Sequence, residues 1–155
     1  MSFAPSSPVT GATVSGLTSP TYTLTTDVAP SINGKQYAVT ALGGTQTGVE
    51  THTVSKPFSI SFFRPLNLRV LPAANPVTGV IKNVPMNTYK LITRKGVAPA
   101  ASQSNMVARI TTTIEVPAGS DTYEPEDLRA LVSSHFGVGN ASASGIADTI
   151  LSGII

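Results

Sequence analysis

Lys90 and Arg94 stand four residues apart, and Arg109, Thr111 and Thr113 alternate with Ile110, Thr112 and Ile114 further along the chain. In an extended chain successive side chains point to opposite faces, so each set lies on one side of its strand. Ser59 and Ser61 alternate in the same way and extend the face across a neighbouring strand. Cations interleaved with hydroxyls suit phosphate oxygens through charge and base edges through hydrogen bonds. Phe63 or Tyr89 would add a ring on which an unpaired base can stack. A sheet's solvent face is polar in any β protein, so the charge pattern must decide between the two readings.

From His52 to Ile114 there are eight basic residues and no Asp or Glu: Lys56, Arg64, Arg69, Lys82, Lys90, Arg94, Lys95 and Arg109. From Glu115 onward the sign reverses, with six acids against Arg129 alone, a formal −5. The net charge of +2 therefore hides two opposed regions. A field divided in this way speaks of partners, and the basic middle calls for an anionic one.

Other chemistries find no support. His52 and His135 are isolated, so no metal site is expected, and cysteine is absent, which removes disulfides and thiolate ligands. No nucleophile stands beside a base, and neither a phosphate loop nor a nucleophile elbow occurs, which leaves a small hydrolase without residues to carry it. Glu124, Glu126 and Asp127 resemble a carboxylate cluster, but they precede an apolar helical stripe and suit the positive end of a helix dipole. Gly43-Gly44 lacks the strand–helix setting of a phosphate loop. Asn140-Ala141-Ser142 fits a glycosylation sequon by accident, since the first ten residues lack the basic and apolar regions of a secretory signal. No catalytic residue, cofactor, small-molecule substrate or membrane span is expected, and a soluble protein made inside the cell is the resulting expectation.

The elements that position these residues follow from pattern. At 155 residues the chain is one domain's length. Charged residues make up only 12%, about half the usual ~25%, so much of the surface is expected to be covered by other subunits. Residues 1–8 read as a flexible arm. Val9–Leu17 and Thr21–Asp27 read as a hairpin, and Pro30–Gly34 as a turn. A strand over Lys35–Leu42 ends at Gly43-Gly44. Val49–Val54 and Phe58–Arg64 are extended, with Pro57 at an edge or bulge. Residues 65–84, punctuated by Pro72, Pro76 and Gly79, form a long loop. Strands follow over Thr88–Lys95 and Met106–Val116, joined by a flexible loop over residues 96–105. Residues 124–155 carry helical period: Leu128, Leu131, Val132 and Phe136 form one stripe that stops at Gly137. Asn140 or Ser142 caps a second helix bearing Ile146, Ile150 and Leu151. Strands followed by two helices make an α+β domain. The last helix is short and almost uncharged, and it needs a surface to pack on.

In their order these parts resemble the coat proteins of single-stranded RNA bacteriophages of the levivirus type. The resemblance runs from Thr21 to the end. It is carried by the Thr21–Gly34 stretch leading into a strand, by Thr51–Ser61, by Asn87–Lys95 joined through small residues to Ala108–Ile114, and by Glu126–Val132, Gly137 and Ile146–Leu151. It implies an N-terminal β-hairpin, a five-stranded antiparallel sheet and two C-terminal helices. It also implies an interlocked homodimer in which each subunit's helices cross onto its partner's sheet. Dimers would build an icosahedral shell, usually T=3, in the virion, from protein made in the bacterial host's cytoplasm. The 96–105 loop would vary in conformation around the symmetry axes. The inner sheet face would bind single-stranded RNA, including a hairpin in the replicase message whose binding represses translation. By position that face would hold Lys90, Arg94, Arg109, Thr111 and Thr113, with Ser59 and Ser61 beside them. Residues 65–84 are longer than the family's corresponding connection. The competing expectation is a non-enzymatic β-rich subunit of a phage tail or fimbria without RNA, which the Thr-rich strands fit and the charge division does not.

Overall fold

The computed structural model describes residues 2–155; Met1, the first residue of the expected arm, lies outside them. Six strands form one antiparallel sheet in which each strand pairs with its sequence neighbour. They are β1 (Val9–Thr10), β2 (Thr18–Asp27), β3 (Gly34–Thr45), β4 (Phe58–Phe63), β5 (Met86–Val97) and β6 (Met106–Pro117). Three helices follow: α1 (Ser120–Tyr123), α2 (Pro125–Ala141) and α3 (Ala143–Ser152).

Several elements differ from expectation. The sheet has six strands rather than five, the extra one being the two-residue β1. The first arm of the expected Val9–Leu17 hairpin shrinks to β1, and the chain turns back at Gly16, whose φ is 84°, beside a single Val14–Leu17 bridge. Strand β3 does not end at Gly43-Gly44. Gly44 adopts φ 73°, and a Cβ there would collide with the carbonyl oxygens of Thr18 and Ser19, so glycine lets β3 close on β2. Val49–Val54 is not a strand. The Thr53 hydroxyl takes the Lys56 N–H at 3.0 Å, a local bond that competes with strand pairing. Helix α2 continues through Gly137 and Gly139, neither of which takes a positive φ. A mid-helix glycine costs only about 1 kcal/mol, too little to stop it. The break comes at Ser142, the position before α3.

Residues 2–8, expected to be flexible, are held against the sheet at three places. Phe3 stacks on Phe62 with ring centres 4.9 Å apart. Lys35 Nζ donates to the Phe3 carbonyl at 3.0 Å. The Ser7 hydroxyl accepts the Leu24 N–H at 2.9 Å. The long 65–84 loop is also anchored. Asn87 is buried, and its amide both accepts the Arg69 N–H at 2.8 Å and donates to the Arg69 carbonyl at 3.0 Å. At the loop's tip Asn75 Oδ1 accepts the N–H groups of Val77 and Thr78, while the Asn75 N–H reaches the Val80 carbonyl at 3.1 Å.

Register defines two faces. On one, Lys90, Ile92 and Arg94 of β5 sit opposite Thr113, Thr111 and Arg109 of β6. On the other, Leu91, Thr93, Ile110 and Thr112 border a cleft of about 920 Å³ beneath α2 and α3. The apolar core is thin. Among the described residues only Leu24, Ala38, Val39 and Ala118 are buried hydrophobics, and no helical residue is buried. A self-sufficient chain of this length buries far more. Phe136 is 40% exposed and Ile150 73%, so the helical stripes are formed and left uncovered.

Candidate nucleic-acid interface

The site is built on β5 and β6, twelve-residue strands paired along their whole length. Their length comes from composition: β-branched residues fill Met106–Pro117, and no proline interrupts either strand before Pro117. The pairing sets Arg94 directly opposite Arg109, Ile92 opposite Thr111 and Lys90 opposite Thr113. On β4 the residues in step with Arg94, Ile92 and Lys90 are Ser59, Ser61 and Phe63. All seven polar residues expected at the site therefore lie on one sheet face, with Thr113 at the β6 edge also reaching a small pocket lined by Leu131, His135 and Phe136 of α2.

They are not equally available. Lys90, Arg109, Thr111 and Thr113 are exposed and Arg94 is half-buried. Ser59 is 4% exposed and Ser61 0%. These two serines, expected beside the cations, are therefore far less available to a ligand than the other five residues. Ser61 has another task. Its hydroxyl accepts a hydrogen bond from Arg94 Nη1 at 3.2 Å and donates to Gln36 Oε1 at 2.8 Å. Gln36 Nε2 donates in turn to Asp27 Oδ2 at 2.7 Å. Asp27 Oδ1 takes the Val28 N–H, and these bonds hold the Asp27 carboxyl below its ordinary range, Gln36 contributing most. Gln36 and Asp27 were not legible as part of this face, because strand alternation leaves the side undecided until β3 is paired to β4.

Of the two rings, Tyr89 falls on the other face, stacked on Phe62 at 6.3 Å. Phe63, paired with Lys90, stays on the basic face. That face also includes Glu115, opposite Thr88 at the far end of the β5–β6 pair. It is thus basic along most of its length, with Glu115 at the β6 rim and Asp27 on β2 as its acids.

The eight cations of the acid-free stretch separate by what they touch. Lys56 forms an ion pair with Glu50 at 2.8 Å. Lys95 donates to the Glu50 carbonyl at 2.6 Å and lies 4.7 Å from the centre of the Phe58 ring. Burial pushes the Lys95 ammonium below its ordinary value, with Glu50 opposing that shift and Lys56 adding to it. Arg64, Arg69 and Lys82 belong to the 65–84 loop and its edge. Lys90, Arg94 and Arg109 have no carboxylate partner among the described residues. Arginines directly across a strand pair repel one another, and a bound anion between them relieves that repulsion.

The histidines serve the scaffold. His52 Nδ1 accepts the Phe58 N–H at 3.0 Å, and the His52 N–H reaches the Val39 carbonyl at 2.8 Å, clipping the β3–β4 connection to the sheet. His135 packs edge-on against Phe136. No group of three potential ligands that could hold a metal occurs among the described residues. No described helix is long and apolar enough to cross a membrane.

The chain is similar to a solved structure described as a virus-like particle of bacteriophage ESE020. The two are 52% identical over 99% of this chain and 100% of that one, with a TM-score of 0.96. A virus-like particle of Wenzhou levi-like virus 4 aligns loosely, at 17% identity over 89% of this chain and 69% of that one, with a TM-score of 0.36. No family model and no curated protein matches the chain.

Proposed function

The chain belongs to the coat proteins of levivirus-type single-stranded RNA bacteriophages and forms part of the virion capsid, and we propose that its basic sheet face binds and packages single-stranded RNA. One observation carries this reading: Lys90, Arg94 and Arg109 share a face with exposed threonines and lack carboxylate partners. Fixed cations of this kind repel each other until an anion arrives, and a polyphosphate chain supplies anions in series. Thr111 and Thr113 add hydroxyl donors and acceptors for phosphate or base edges.

The subunit is a structural protein. The assembly unit we propose is a homodimer. Strand β6 is an unpaired, twelve-residue edge, a ready template for a second strand. The uncovered stripes of α2 and α3 supply apolar surface for the same partner. A shell of T=3 type with the basic face inward is the arrangement we infer, and a hairpin held on that face would repress translation of the message carrying it. The tail or fimbrial alternative is set aside by the relationship to a virus-like particle.

The test is expression of the chain alone, followed by negative-stain microscopy and the ultraviolet absorbance ratio of purified particles. Closed shells carrying RNA are expected. Shells assembled normally but free of RNA would overturn the RNA reading while leaving the capsid assignment intact.

A further inference from the structure

The bonds from Arg94 to Ser61, Gln36 and Asp27 run across four adjacent strands, β5 to β2, on the basic face. Each link is directional: guanidinium to hydroxyl, hydroxyl to amide oxygen, amide nitrogen to carboxylate. We propose that Asp27, Gln36 and Ser61 are positioning residues that fix the Arg94 guanidinium opposite Arg109, so that the two arginines form a seat for one phosphodiester of single-stranded RNA. This rests on the RNA reading above and adds to it the site and the residues that hold it.

Position rather than charge is what the relay supplies. The hydrogen bonds of 3.2, 2.8 and 2.7 Å, with the width of the Gln36 amide between them, set the Asp27 carboxylate about one Debye length, ~10 Å at 0.1 M salt, from the guanidinium, so the carboxylate neutralises little of its charge. What reaches Arg94 is a hydrogen-bond direction, anchored at its far end by a carboxylate that also holds the Val28 N–H. One Arg94 nitrogen, Nη1, is committed to Ser61, while the other guanidinium donors remain for a ligand. A planar fork held in place recognises phosphate by geometry, whereas the same fork swinging freely contributes charge alone. Ser61 is fully buried and Gln36 half-buried, so the links next to Arg94 lie beneath the surface an RNA would meet, while Asp27 at the far end is exposed.

The experiment uses dimers of the full chain and two RNA probes: a uniform oligouridylate, which reports charge, and a random-loop hairpin library, read by sequencing the bound fraction. For Gln36→Met, oligouridylate affinity and its salt slope are expected to stay within about twofold of wild type, while the enrichment of preferred hairpins falls about tenfold. Arg94→Ala is expected to lower both readouts. Asp27→Asn keeps an oxygen acceptor for Gln36 and is expected to retain the enrichment. Thermal melting confirms that each variant is folded, and Ser61→Ala replaces Gln36→Met where that variant is not. The relay is overturned if the enrichment survives Gln36→Met but not Arg94→Ala, if Asp27→Asn loses as much as Gln36→Met, or if wild type enriches no hairpin at all. Failure of the RNA reading itself looks different, because Arg94→Ala and Arg109→Ala would then leave oligouridylate binding unchanged.

Discussion

At the scale of single residues, the alternation Lys90-Leu91-Ile92-Thr93-Arg94 and Arg109-Ile110-Thr111 was enough to put the cations on a common face, because side-chain direction in a strand is local. Burial is not local. Ser59 and Ser61 have the right alternation, yet the side chains of other strands enclose them, and no reading of one strand reveals that. Asn87 is a similar case. Its amide replaces a strand partner for Arg69, and Asn87→Ala would leave a backbone N–H and carbonyl without those bonds. The variant is expected to lose about 1–3 kcal/mol of stability, read by urea unfolding of dimers. Glu50 gives a pH signature. The hydrogen bond and charge of Lys56 hold its carboxyl below the ordinary value of 4.5. A depressed carboxylate contributes stability that is full above the unfolded value and is lost as pH falls through the folded one. Glu50→Gln is therefore expected to lose less melting temperature than wild type between neutral pH and about pH 3. Identical pH profiles would mean that the Glu50–Lys56 clip is absent in solution.

At the scale of elements, β5 and β6 announce themselves by length and alternation, and the helices by their apolar period. The weak elements were illegible for physical reasons. Two-residue β1 exists only because β2 offers it an edge, and four-residue α1 follows Gly119 at φ 92° with no periodic signal of its own. Gly137 misleads because glycine ends a helix only where the chain takes a left-handed turn, and here it does not. The uncovered helical stripes have a direct test. Phe136 borders the cleft beneath α2 and α3 and is left 40% exposed by its own chain. Phe136→Asp is expected to weaken dimerisation by roughly 2 kcal/mol or more, about thirtyfold in dissociation constant. Analytical ultracentrifugation reads the monomer fraction. An unchanged dimer would remove α2 from the proposed interface.

At the scale of the whole molecule, charge is sorted by side and by element. The basic sheet face looks one way, while Asp121, Glu124, Glu126 and Asp127 gather on α1, α2 and the turn between them. In a closed shell such sorting suits the proposed orientation, with the cations towards an enclosed RNA. Each phosphate neutralised contributes about 0.7 to the log–log salt slope for single strands. The triple variant Lys90→Ala, Arg94→Ala, Arg109→Ala is therefore expected to shallow the slope by about two, from a wild-type value near −3 for about four contacts. A filter-binding titration across salt concentrations measures it, and an unchanged slope would place the RNA elsewhere.

The strict neighbour-to-neighbour order of the six strands carries one more consequence, for the way the subunit is made. Each strand's partner is the one immediately before it in the chain, so pairing closes short loops first and never waits for a distant segment. Topologies dominated by such local pairing fold fast relative to their size. The uncovered helices come after all six strands in sequence, so the sheet can be zipped before their apolar stripes exist. The share of premature sticking between half-made chains that those stripes would cause is thereby left to the end of synthesis, when a finished partner can receive them.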